Sequence, residues 1–166
     1  MESAIWGLFG VIIGALSSII TTHLNNRNNI NIQRSNEKFK RTEQFRDFQR
    51  ENLLKLQEKI SDMIRLVGRA HFEDTINYKK TNNWQSNLLG AQLDNEINVA
   101  LRQLSIKAER IDNDKLRNEV KSLKRKMDGC LLAKNYESSI SLIESLVIDY
   151  TELSSNLGKV IRENYY

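Results

Sequence analysis

The chain has 166 residues, no proline, seven glycines and one cysteine, and its 25 Lys and Arg against 21 Asp and Glu give a formal net charge of +4. A single cysteine excludes an intrachain disulfide and a cysteine-built zinc site, and a proline-free chain rich in Leu, Ile, Asn, Lys and Glu points to an almost entirely helical protein. Seven Lys or Arg against three Asp or Glu between residues 27 and 50 account for the whole net charge, so the basic balance reports a local cluster rather than a nucleic-acid-binding surface.

The first element is the stretch Ala4–Leu24, AIWGLFGVIIGALSSIITTHL, which contains no Asp, Glu, Lys or Arg. As a helix rising 1.5 Å per residue it reaches roughly 30 Å, the thickness of a bilayer core, and is expected to be a transmembrane anchor over residues 1–24. Ser3, Gly7, Gly10, Gly14, Ser17 and Thr21 recur at alternating spacings of four and three, which places them on one stripe. Such small-residue stripes let helices approach closely in lipid, so self-association through this face is expected. Trp6, Phe9, Ile13, Leu16 and Ile20 lie away from it and suit lipid chains.

A cleaved signal peptide is the alternative for this stretch. Ala15-Leu16-Ser17 offers a small-residue cleavage site, but Glu2 precedes the apolar run where a secretory signal carries Lys or Arg. The positive charges that follow the run are Arg27, Arg34, Lys38, Lys40, Arg41, Arg46 and Arg50. Positive flanks stay on the cytoplasmic side, so the expected topology is single-pass in the inner (cytoplasmic) membrane, N-terminus outside and body cytoplasmic.

Residues 25–52 form a polar, basic juxtamembrane stalk. Its first part, NNRNNIN, is poor in helix propensity, but with neither Gly nor Pro to stop it the helix is expected to continue. Phe39, Phe45 and Phe48 interleave the basic residues, a pattern compatible with nucleic acid, yet no recognition motif accompanies them. Anionic lipid and topology retention are the preferred reading of the cluster.

Residues 53–166 carry the periodicity of a bundle. Leu53, Leu56, Ile60, Met63, Val67 and Ala70 step by three and four in a helix expected to end near Asn77. A second helix is expected to begin near Trp84, with Leu93, Ile97, Ala100, Leu101, Leu104, Ala108 and Ile111 inward. Asp112-Asn113-Asp114 reads as a stop and a fresh cap. Leu116, Val120, Leu123, Met127 and Cys130 make a third stripe, and Tyr136, Ile140, Ile143, Val147, Tyr150, Leu153, Leu157 and Val160 a fourth. The expected fold is all-α: one transmembrane helix followed by a coiled-coil-like cytoplasmic bundle of three or four long helices, depending on whether the second and third run end to end.

No chemistry-bearing motif emerges. His71 has Val67 and Thr75 one helical turn away, so no metal pair is built locally, and His23 stands at the edge of the apolar run. Cys130 falls on an apolar stripe and is expected to pack as a small hydrophobe. No catalytic residue, cofactor or metal is expected, and the chain is not expected to be an enzyme. The layout is similar to small bacterial proteins that join an N-terminal anchor to a helical body, with no motif that carries a function across. The leading expectation is a membrane-anchored interaction protein that forms a homo-oligomer and recruits a cytoplasmic protein partner. The alternative is an oligomerising, membrane-disrupting effector of toxin or phage-defence type, with the bundle as sensor or brake.

Overall fold

The computed structural model describes the backbone of residues 2–85 and 89–163, and the side chains of these apart from residues 2–6, 8 and 12. Among the described residues the protein is all-α, with α1 at Glu2–Thr81, α2 at Ala91–Glu109, α3 at Asp114–Leu131 and α4 at Tyr136–Glu163. By its contacts the chain divides into two units, Met1–Phe45 and Arg46–Tyr166.

In the first unit the backbone is helical without interruption, including the Asn-rich seam at residues 25–31. Poor propensity costs each Asn only about half a kcal/mol, and nothing in the seam supplies the Gly or Pro needed to break the ladder.

The second unit is a four-helix bundle made by residues 46–81 of α1 with α2, α3 and α4. Contacts along the bundle set residues 46–81 of α1 antiparallel to α2 and to α4. At one end Asn52 donates to the carbonyl of Lys107 (3.1 Å), and at the other Tyr78 stacks on Tyr136 with centroids 4.7 Å apart. Midway, Gln57 donates to Ser154 (3.4 Å). The core is one cluster in which Leu56, Met63, Val120, Met127 and Leu157 have no solvent exposure. Each such side chain contributes about 1.5–3 kcal/mol by leaving water.

The element ends follow from local chemistry. Asn82 adopts a left-handed backbone (φ 55°) while its N–H returns to the Tyr78 carbonyl (2.7 Å), closing α1 with a residue type that tolerates this region. Gln85 is also left-handed (φ 53°), so the helix expected from Trp84 cannot form there and α2 starts instead at Ala91. Asn113 caps α3 by accepting from the Leu116 N–H (3.0 Å), as the Asp-Asn-Asp triplet suggests. The chain reverses at residues 110–113, so α2 and α3 lie side by side rather than end to end, and the bundle has four helices, not three.

Two details differ from the periodicity. The first half of α4 buries Ser139 and Leu146, whereas Val147 is 52 % exposed. Ser139 fits because its hydroxyl donates to the Tyr136 carbonyl (2.7 Å), which lets a polar residue occupy the tightest position. The bundle also begins earlier than Leu53: Gln49 and Asn52, assigned above to a solvated stalk, are buried. Their amides serve backbone groups at the end of α2, Gln49 donating to the Arg110 carbonyl (3.1 Å) and accepting from the Asp112 N–H (3.1 Å).

Candidate functional site

Two places stand out, one in each unit. In the first unit the apolar side chains have no protein core over them. Val11, Ile13, Leu16, Ile19, Ile20 and Leu24 are each more than half exposed, and they spread over the broad side of the helix that faces away from the small-residue stripe. An apolar face this broad, with no charge beside it, is the pattern of a helix packed in a large core or a membrane. A Cβ added at Gly7, Gly10 or Gly14 would meet no atom within 4 Å, and Ser17 and Thr21 are exposed, so these small residues form an open face; Ser3 lies outside the described side chains. Among the described residues no helix is long and apolar enough to cross a membrane. The expected span Ala4–Leu24 includes residues 4–6, 8 and 12, whose side chains are outside that set.

The basic residues of the first unit are Arg27, Arg34, Lys38, Lys40 and Arg41, all exposed and without an ion pair among the described residues. In the second unit Arg46 is exposed and Arg50 pairs with Asp47 (3.1 Å). Helical rise puts Arg27 about 5 Å beyond Leu24 along the axis, Arg34 about 15 Å and Arg41 about 25 Å. A charge acts on a surface over a Debye length of about 8 Å at physiological salt, so along a straight perpendicular helix only Arg27 would feel headgroups at Leu24.

The second place is a pocket of about 240 Å³ near the α1–α2 connection, lined by His71 and Asp74 of α1, Gln85 and Leu89 of the connection, and Cys130 and Leu131 of α3. α1 delivers Asp74 here because it continues the core spacing of Val67 and Ala70, which puts a carboxylate where an apolar residue is expected. Asp74 is 9 % exposed, and the charged or titratable groups that act on it are His71 and Glu73. Burial therefore pushes its carboxyl above the ordinary value, with the facing His71 opposing the shift and Glu73 adding to it. His71 is pushed the other way, below its ordinary value, by burial, with Asp74 opposing. The Nδ1 of His71 and the hydroxyl of Thr75 are buried with no hydrogen-bond partner.

An aromatic cluster stands beside the pocket and meets it through His71. Trp84 donates its indole N–H to the Ala133 carbonyl (2.8 Å), and its ring meets those of His71 (5.8 Å), Tyr136 (5.7 Å) and Tyr78 (6.1 Å). Trp84 thus anchors the bundle end from a turn, not from a helix start. Gln85 is held by its amide donating to the Leu131 carbonyl (3.0 Å). Cys130 is buried, and burial pushes its thiol up, as expected for a packed cysteine rather than a reactive one. Among the described residues no group of three or more His, Cys, Asp or Glu could hold a metal ion.

Periodicity places the small-residue face, the basic run and Cys130, but it assigns no role to Asp74, Thr75 or Gln85. The available signal was a charged residue on the core spacing, four positions after Ala70. Compared with known protein families, curated proteins and solved structures, the chain shows no match.

Proposed function

We propose that the chain is a single-pass membrane-anchored interaction protein whose uncharged N-terminal helix sits in the bilayer and whose bundle recruits a protein partner on the cytoplasmic side. The observation that carries this reading is the set of exposed apolar side chains from Val11 to Leu24, which covers the whole of the helix surface outside the small-residue stripe, in a segment that has no charge between Ala4 and Leu24. Water is a poor solvent for that surface, and lipid is the environment that satisfies it without a second protein layer. The charges that follow, from Arg27 to Arg41, fall within the distance over which Lys and Arg set topology. They act chiefly by retention, since most stand too far along the helix for headgroup contact. The role assigned is binding, not catalysis.

The open face of Gly7, Gly10 and Gly14 supports association of copies within the membrane. The same face supports a second reading, in which gathered helices permeabilise the bilayer as an effector would. An alkaline carbonate wash of membranes holding the full chain tests the anchor. Wild type stays in the pellet, whereas Ile13→Asp with Leu16→Asp releases the protein; release of wild type contradicts the reading. Crosslinking then tests association: Gly14→Leu keeps insertion and loses oligomers. Depolarisation of expressing cells that disappears with Gly14→Leu would move the effector reading ahead.

A further inference from the structure

We infer that the α1–α4 face of the bundle is a docking surface for a second copy of this chain. The two bundles pack face to face and parallel about a two-fold axis along the helices, so that α1 of each copy lies on α4 of the other. Gln57 reaching Ser154 and Tyr78 stacking on Tyr136 set the relative heights of the two helices on this face. At 3.6 residues per turn, Leu54, Gly68 and Phe72 then fall on its outward side from α1, and Ile140, Val147 and Gly158 from α4. Phe72 is 64 % exposed, Val147 52 % and Leu54 45 %, so apolar surface is gathered here rather than scattered singly.

The charges beside that surface identify the partner. Along α1 they run from Asp47 through Arg65 to Lys79, acid to base. Along α4, at matching heights, they run from Arg162 through Glu144 to Glu137, base to acid. Lys79, Glu137, Glu144 and Arg162 are exposed and in no ion pair among the described residues. Asp47 and Arg65 pair within their own helix, with Arg50 and Asp62, and such exposed pairs are weak enough to exchange. A second copy turned about the two-fold sets every one of these charges against its opposite: Asp47 on Arg162, Arg65 on Glu144, Lys79 on Glu137. The same register puts Phe72 on Ile140 and Leu54 on Gly158. Val147 meets Gly68, where an added Cβ would find no atom within 4 Å. Reversing one copy would bring α1 onto α1, with Leu54 against Phe72, large on large. The inference concerns the bundle surface and does not rest on the membrane reading.

The test mixes two full-length chains in detergent micelles, both Cys130→Ser, one with Phe72→Cys and the other, marked by a tag, with Ile140→Cys. On oxidation a mixed disulfide should form several-fold faster than between Phe72→Cys and Leu54→Cys chains, the pair that a reversed copy brings together. With Gly14→Leu in both chains the association within the membrane is lost while this disulfide should still form, so the two contacts fail separately. Glu144→Arg should cut the yield several-fold with helix content unchanged, and Arg65→Glu in the same chains should restore it. Absence of the mixed disulfide, an equal yield with Leu54→Cys, loss in Gly14→Leu, or indifference to Glu144→Arg overturns the dimer. The cysteine comparison uses no charge variant, so its result stands even if those variants fold poorly.

Discussion

Residues 7–24 and residues 53–70 share helical backbone and a similar supply of large aliphatic side chains, yet they meet opposite fates. In the second stretch Leu53, Leu56, Ile60, Met63, Val67 and Ala70 are at most 2 % exposed, while in the first Val11, Ile13, Leu16, Ile19, Ile20 and Leu24 are 54 % exposed or more. Their polar companions differ in the same way. Cations of the bundle find carboxylates, as in Lys55–Glu51, Lys59–Asp62, Arg69–Glu96 and Lys121–Glu109, whereas Arg27, Arg34, Lys38, Lys40 and Arg41 find none among the described residues. Apolar residues restricted to one stripe suit a neighbouring helix, whereas a broad uncharged apolar face is the pattern from which the membrane proposal is argued. The bundle carries its own partners; under the proposed function, lipid covers the N-terminal helix.

The contrast breaks most visibly with the same kind of truncation in each region. Leu56→Ala or Met63→Ala removes a side chain with no exposure and should cost about 2–5 kcal/mol, read as a large drop in the thermal midpoint followed by circular dichroism. Ile13→Ala should leave that midpoint within about 0.5 kcal/mol, because Ile13 is 62 % exposed and truncating it opens no cavity. A comparable loss at Ile13 would mean that the N-terminal helix shares the core.

Gln49→Ala should come next, at about 1–3 kcal/mol, since it strands the Arg110 carbonyl and the Asp112 N–H together. Gln44→Ala, five residues earlier and exposed, should do nothing measurable by urea unfolding. Asn113→Ala removes the cap on the Leu116 N–H and should cost about 1 kcal/mol, which Asn113→Asp should restore.

These positions also show what periodicity makes legible and what it does not. Leu53 to Ala70, Leu116 to Cys130 and the Asn113 cap follow from spacing and residue type because burial of one stripe and satisfaction of helix-end N–H groups are local requirements. Gln49, Asn52 and Ser139 are polar residues in core positions, and their fit depends on which carbonyls the fold brings within reach. The start of α2 was obscured because two left-handed residues, Asn82 and Gln85, break the chain without a glycine between them. Asp74 received no role from periodicity, although its spacing from Val67 and Ala70 already placed it inward.

The pocket gives the smallest stability effects and a pH signature. Asp74 is raised by burial, so above its ordinary 3.8 the unfolded chain ionises first and folding is penalised. Asp74→Asn should therefore raise the midpoint at pH 7 by about 1 kcal/mol equivalent or less, with the gain shrinking as pH approaches 4. His71 is lowered by burial, so as pH falls through its ordinary 6.5 the unfolded chain takes up the proton first and stability declines. Melts at pH 7 and pH 5 should show that decline in wild type and less of it in His71→Gln; equal declines would remove His71 from the account.

The most direct measurement of the central claim compares depth in a bilayer at two exposed apolar positions, Ile13 and Phe39. With Cys130→Ser as background, spin labels are placed by Ile13→Cys and by Phe39→Cys in the full chain reconstituted in vesicles. The account predicts that the label at position 13 collides with dissolved oxygen and is shielded from a water-soluble nickel chelate, while the label at position 39 is open to the chelate. Equal access of the chelate to both positions would contradict a membrane-embedded N-terminal helix.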